Sequence, residues 1–364
     1  MAPTARTAPH REEHLVIELV KAHGTGNDFV LLPDRLDQHV LDVALTVAVC
    51  DRRFGIGGDG AIRVAPARAD TGADVFMDYR NADGSLAEMC GNGVRCVAKL
   101  ALDRGWVDGD EIAVDTRAGV KQVTVTERHD DGTVATVRVH MGSAHVGQRV
   151  EVDVSPLTRA RAAPGSHAGI IAEPPAMPGE DAAAGAAVTA EHRTLEVLAV
   201  SMGNPHAVVV VGSDPAALDA VPLAAWSAAV AAHPAFPDGA NVEAVAVPDP
   251  ATVHGRIHER GSGETLASGT GASAMAVAAA ALGHARRAST VRLPGGDLRV
   301  DWREDGEVTV TGPAETVATG TLDPGWLARA TASSRRSAPA ERELRGTQRD
   351  AQPDAPQPQQ PSGL

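Results

Sequence analysis

Much of the chain alternates apolar and polar positions in the two-residue rhythm of strands. Leu15-Val16-Ile17-Glu18-Leu19-Val20 and Phe29-Val30-Leu31-Leu32 flank a Gly-rich turn, and residues 120–126 and 134–140 alternate as half-buried strands do. Residues 207–211 form a continuous apolar run, which predicts a strand buried on both faces. Helical patterns are fewer and cover residues 41–51, 94–104, 223–232 and 272–282. Many strands with few helices predict an α+β fold rather than a doubly wound α/β sheet.

Two short motifs recur in order. Gly26-Asn27-Asp28-Phe29 is echoed by Gly203-Asn204-Pro205-His206, each followed by a Val-containing strand. Cys90-Gly91-Asn92-Gly93 is echoed by Ser268-Gly269-Thr270-Gly271, each opening an Ala/Val helix. Asn27 and Cys90 lie 63 residues apart, Asn204 and Ser268 64. Two motifs at nearly one offset predict two similar domains facing each other across a cleft.

Composition narrows the function. The 364 residues carry 33 Lys+Arg against 47 Asp+Glu, a formal charge of −14, which disfavours a nucleic-acid or anionic-membrane surface. Apolar residues make up 43% and aromatics only 2%, so a sizeable core is built mainly from Ala, Val and Leu. Three cysteines, Cys50, Cys90 and Cys96, argue against a disulfide framework and for a reducing, cytoplasmic setting. No stretch reads as a secretory signal or membrane span. Residues 1–13 and 334–364 read as solvated tails, and the Ala/Pro/Gly-rich residues 161–190 as a surface insertion.

Cys90 falls at a predicted helix N-terminus. The free N–H groups and the dipole there favour an anion, either a substrate carboxylate or a Cys90 thiolate with a lowered pKa. Cys50 and Cys96 sit on apolar helix faces and read as structural. No metal-ligand spacing is present, Gly55-Ile56-Gly57-Gly58-Asp59-Gly60 lacks a nucleotide-loop ending, and Lys21, Lys99 and Lys121 do not sit as a Schiff-base lysine would, so no cofactor is expected. Ser268 has the simple reading of an N-cap, and Glu259, Arg260 and Glu264 that of a solvated charge run. Two reactive groups on opposing helix N-termini also suit inversion at a carbon beside a carboxylate, one group removing a proton and the other delivering one.

From residue 20 to residue 327, the insertion excepted, the chain resembles the diaminopimelate epimerase family. The likeness rests on residues 21–29, 51–60, 79–85 and 89–95, on Met202-Gly203-Asn204-Pro205-His206, on Asn241-Val242-Glu243 and on residues 258–265. It implies two pseudo-symmetric α+β domains with the active site between them, and a cofactor-independent, homodimeric, cytoplasmic isomerase. Its substrate is the small molecule diaminopimelate, in lysine and peptidoglycan-precursor synthesis, with no nucleic-acid or membrane partner. By the same resemblance Cys90 is the first catalytic cysteine. Asn27, Asn81, Asn204 and Asn241 bind substrate. Gly91-Asn92 and Gly269-Thr270 form backbone cradles for the reacting carboxylate, and Glu259 and Arg260 hold the amino acid head group. His206 and Glu259 tune the cysteines. The domains read as 14–143 and 144–316, with 317–333 returning to the first.

The chain departs from the family pattern in two places. Gly60 stands where some members carry a substrate-contacting Gln and others Gly, so it carries no weight, whereas Ser268 stands where the second catalytic cysteine belongs. A serine lacks the acidity of a thiol, so impaired activity is expected. Either a natural enzyme works with Cys and Ser, or a cysteine was exchanged to trap a complex. The rival readings are a racemase or isomerase of another amino acid, and a catalytically dead amino-acid binder.

Overall fold

The computed structural model describes residues 16–154 and 194–337. Its first half comprises β1 (Glu18–Gly24), β2 (Asn27–Pro33), α1 (Val43–Cys50), β3 (Gly60–Pro66), β4 (Val75–Asn81), α2 (Gly91–Asp103), β5 (Glu111–Thr116), β6 (Gly119–Arg128), β7 (Val134–Ser143) and β8 (His145–Asp153). The second half repeats this order. It runs β9 (Thr194–Ser201), β10 (Pro205–Gly212), a 3₁₀ turn (Pro215–Ala220), α3 (Leu223–Ala231), β11 (Asn241–Asp249), β12 (Thr252–Glu259), the short β13 (Gly263–Thr265), α4 (Gly269–Ala281), β14 (Ala288–Leu293), β15 (Gly296–Trp302), β16 (Glu307–Pro313), β17 (Glu315–Thr321) and α5 (Pro324–Ser337).

Strand pairing makes the repeat explicit. The first half pairs β1–β2 antiparallel, β2–β3 parallel, β3–β4 antiparallel, β4–β5 parallel and β5–β6–β7 antiparallel. The same alternation runs through β9, β10, β11, β12, β14, β15 and β16. The halves join where β7 pairs antiparallel with its counterpart β16, Val139 opposite Val310. They also exchange strands: β8 leaves the first half to pair with β9, and β17 leaves the second to pair with β1.

The two interior helices differ in how they are buried. α4 (GTGASAMAVAAAA) is apolar all round, and almost every residue is buried, as a helix enclosed by strands must be. Its alanines let the surrounding sheet approach closely. α2 carries Arg95 and Lys99 inside, and Lys99 reaches the Val134 carbonyl and Asp103. Both helices share one apolar cluster with strands of both halves, while α3 and α1 cover separate outer clusters. Each interior helix starts three residues before the apolar periodicity does, at Gly91 and Gly269. The glycines that read as turn are the first helical turns, each preceded by an N-cap residue, of which Ser268 makes a side-chain cap bond and Cys90 does not. The final helix α5 runs through Ser337, so the first four residues of the expected C-terminal tail are helical. The expected insertion (161–190) and N-terminal tail (1–13) lie outside the described residues. Among the described residues no helix is long and apolar enough to cross a membrane.

Candidate active site

Cys90 is the N-cap of α2 and Ser268 the N-cap of α4. The two helix ends abut. A methyl group placed on Gly91 would sit 3.4 Å from the Gly269 Cα, and one on Gly269 3.3 Å from the Gly91 Cα. Met141, on the central strand β7, closes the floor below both glycines. Glycine at both positions suits this approach, since even a methyl group would already be in contact with the facing helix end.

On the Cys90 side, the Cys90 thiol donates to Asn27 Oδ1 at 3.6 Å. Asn92 Nδ2 donates to the same oxygen at 3.0 Å, and Asn27 Nδ2 donates to Asp59 at 2.8 Å. Arg52 holds Asp59 and Asp28, and Lys21 adds a second cation to Asp28. Burial would raise the Asp28 carboxyl, but Arg52 and Lys21 bring it down to about 2. Asn81 accepts from the Tyr79 hydroxyl at 2.9 Å and donates to Ser85.

On the other side, Ser268 Oγ accepts the Gly271 N–H and lies 3.4 Å from the Thr270 hydroxyl. His206 sits between Glu243 (Nδ1 to Oε1, 2.6 Å) and Asn204 (Nε2 to Oδ1, 3.1 Å). Asn241 Oδ1 accepts the Arg260 backbone N–H, Arg260 reaches the Asp238 carbonyl, and Thr265 donates to Glu259. The register explains the grouping: His206 lies opposite Asn241 on β10–β11, and β12 brings Glu259 beside them.

The electrostatics correct one expectation. Cys90 does not have a lowered pKa: burial pushes the thiol up to about 11. The Gly93 and Asn92 N–H groups pull it down less than burial raises it, and the Glu259 carboxylate raises it further. Glu259 is itself raised, by burial first, with Thr265 as the main opposing partner. Tyr79 is held far above its ordinary value by burial, then by Cys90 and Glu259. Cys50 and Cys96 are buried and pushed up to about 12 by desolvation.

Glu243 and His206 are both fully buried. Burial raises the Glu243 carboxyl, and His206 opposes that rise. Sequence reasoning assigned no role to Glu243, Asp59 or Tyr79. A signal existed for Glu243: a carboxylate inside the buried run NVEAVAV needs a partner. Glu264, in the charge run, pairs with Arg256 at the surface and not with this cluster. At Gly60 an added Cβ would lie 2.6 Å from the Arg80 carbonyl oxygen, so this backbone has no room for a side chain there. A separate concavity of about 710 Å³ opens at the far end of α2, and none of the candidate residues lines it.

The sequence profile of the diaminopimelate epimerase family matches residues 19–146 and 198–317. A diaminopimelate epimerase of Pelotomaculum thermopropionicum is 40% identical over 307 residues, covering 84% of this chain and 98% of the relative. One from Streptomyces coelicolor is 40% identical over 326 residues, covering 85% and 97%. Among solved structures, a probable proline racemase from Agrobacterium radiobacter superposes with a TM-score of 0.57 at 18% identity, over 84% of this chain and 93% of the other. A hydroxyproline epimerase from Agrobacterium vitis does so with a TM-score of 0.57 at 16% identity, over 87% and 96%. At those identities the structural likeness speaks for the fold, the two-domain α+β architecture described above. The sequence matches go further: the chain belongs to the diaminopimelate epimerase family.

Proposed function

We propose that the protein is an isomerase that interconverts LL- and meso-2,6-diaminopimelate without a cofactor. The observation that carries this reading is the meeting of the two helix N-termini, Cys90 capping one and Ser268 the other. A carboxylate held by the N–H groups of Gly91-Asn92 and Gly269-Thr270 would have its α-carbon between the two caps, and the helix ends would stabilise charge as that carbon loses its proton. Asn27, Asn81, Asn204 and Asn241 would orient the rest of the substrate, and Glu259 with Arg260 its amino acid head group. His206 reaches the substrate region through Asn204, and Glu259 acts on Cys90 through its charge. We further propose a cytoplasmic homodimer, as the family resemblance implies.

Ser268 sets the level of activity. One face of the substrate has a thiol and the other a hydroxyl, and loss of an efficient acid–base group costs ~10²–10⁴-fold. The test is incubation of LL-diaminopimelate in deuterated water, with epimer ratio and α-deuterium followed together. Slow exchange with slower inversion supports the reading. Neither exchange nor inversion, with substrate still bound, would make the protein a binder.

A further inference from the structure

We propose that the Asn92 side chain is a positioning clasp between the two half-sites, fixing the spacing of the Cys90 and Ser268 positions. This rests on the reading that those two positions react, and it concerns the Asn92 side chain rather than its backbone N–H.

The geometry is specific. Asn92 is fully buried at the first turn of α2. Its Nδ2 donates in two directions: at 3.0 Å to Asn27 Oδ1, which also receives the Cys90 thiol, and at 3.1 Å to the carbonyl of Ala267, the residue before Ser268. One amide nitrogen thus touches the immediate surroundings of both reacting positions, across 175 residues of sequence. Among the described residues, no other side-chain hydrogen bond joins the surroundings of the two caps so directly, and Gly91 and Gly269, which abut, have no side chains to hold them.

Packing alone would not select this residue. Asn92 Oδ1 is buried and has no hydrogen-bond partner among the described residues. A buried amide left half-satisfied is disfavoured against an apolar side chain of the same size. The cost is tolerated where the donor end of the amide does something a leucine cannot. The second half has no equivalent device: its matching residue is Thr270, whose hydroxyl turns back to Ser268 Oγ. The clasp is therefore one-sided, anchored in the first half and reaching into the second.

The experiment reads spacing directly. In a Ser268→Cys background the introduced thiol faces Cys90, and mild oxidation should bridge them: two thiols lose two protons and two electrons to oxidised glutathione, which is reduced to two glutathione molecules. The equilibrium constant of that bridge against glutathione reports how well the two positions are held together. Adding Asn92→Leu, which keeps the branched shape and removes the donor, should lower this constant tenfold or more. Thermal unfolding should shift by only a few degrees, which separates loss of spacing from loss of fold. In the same pair of proteins, inversion of diaminopimelate should fall at least tenfold more than α-proton exchange, because exchange needs one cap and inversion needs both. An unchanged bridge constant with Asn92→Leu would overturn the clasp and leave the site reading standing. Failure of the parent Ser268→Cys protein to bridge would overturn both, since the caps would then not face each other.

Discussion

A serine hydroxyl is far less acidic than a thiol, and Ser268 already accepts the Gly271 N–H as a helix cap. The α4 dipole contributes only about 0.3–1 kcal/mol toward an alkoxide, up to about 2, which does not bring serine into the working range. Ser268→Cys is therefore expected to raise epimerisation by roughly 10²-fold or more, and Cys90→Ser in the native background to abolish the remainder. Epimer ratios measured from each stereoisomer check both; no gain from Ser268→Cys would remove the two-base reading. Cys90 itself yields a pH prediction. Its thiol is raised to about 11 by burial, and only the thiolate removes a proton. Exchange of the α-proton should then climb about tenfold per pH unit from neutral to alkaline and level off near pH 11. A plateau near pH 8 would mean that bound substrate or another group lowers the thiol. At this scale the sequence was informative for residue type and blind to environment. Cys90, Asn27, His206 and Glu259 were recognisable from motif. The direction of the Cys90 shift was not, because a helix N-terminus is visible in sequence and desolvation is not. Glu243 carried a signal in its apolar strand, whereas the Asp59–Asn27 contact crosses 32 residues and left none.

The strands were legible because alternation survives wherever one face is buried, as in β7, and the continuous run of β10 did mark a strand buried on both faces. Helix starts were misplaced for a physical reason: glycine is a poor helix former, so Gly91 and Gly269 read as loop although both are helical where the two ends meet. The closing of one half on the other by turns was also hidden. Gly295, between β14 and β15, donates to the Leu266 carbonyl, and an added Cβ there would overlap the Thr25 carbonyl oxygen in the β1–β2 turn. Thr25 is itself constrained, at φ 51, a left-handed conformation unusual for threonine, with its hydroxyl held by the buried Arg95. The neighbour is backbone on a strained turn and cannot step aside. Gly295→Ala should destabilise the protein by about 3 kcal/mol, the upper end of the usual cost of overpacking. It should also weaken substrate binding, because the displaced turn bears on Gly26 beside Asn27. Chemical denaturation with a parallel binding titration checks this; an Ala variant of native stability would mean the two turns do not pack as described.

Neither half is self-contained. β8 completes the sheet of the second half beside β9, β17 completes that of the first beside β1, and the β7–β16 pair makes the two sheets one. α5, after β17, packs on α1, where Trp326 and Leu327 cover the outer cluster of the first half and the Trp326 indole donates to the Phe54 carbonyl. The sequence repeat announced two similar units, and the expected bounds, 144–316 with 317–333 returning to the first, already group β8 with the second half and most of β17 with the first; the strand pairing that carries the exchange leaves no mark of its own, since a swapped strand has the same alternation as an unswapped one. Reciprocal exchange couples the halves thermodynamically, because opening either one strips an edge strand from the other. A single unfolding transition is expected, with calorimetric and van't Hoff enthalpies in agreement. Truncation after Ala314 removes β17 and α5, leaves β1 as an open edge and uncovers the α1 cluster. Its effect should reach the distant half as well: the whole transition should move down by many degrees or disappear, rather than split into a melted first half and an intact second. Hydrogen exchange of the β9–β11 amides in the truncated chain reads this directly. Native-like protection there, with β1–β3 unprotected, would show that the halves fold independently and that the exchanged strands only decorate their edges.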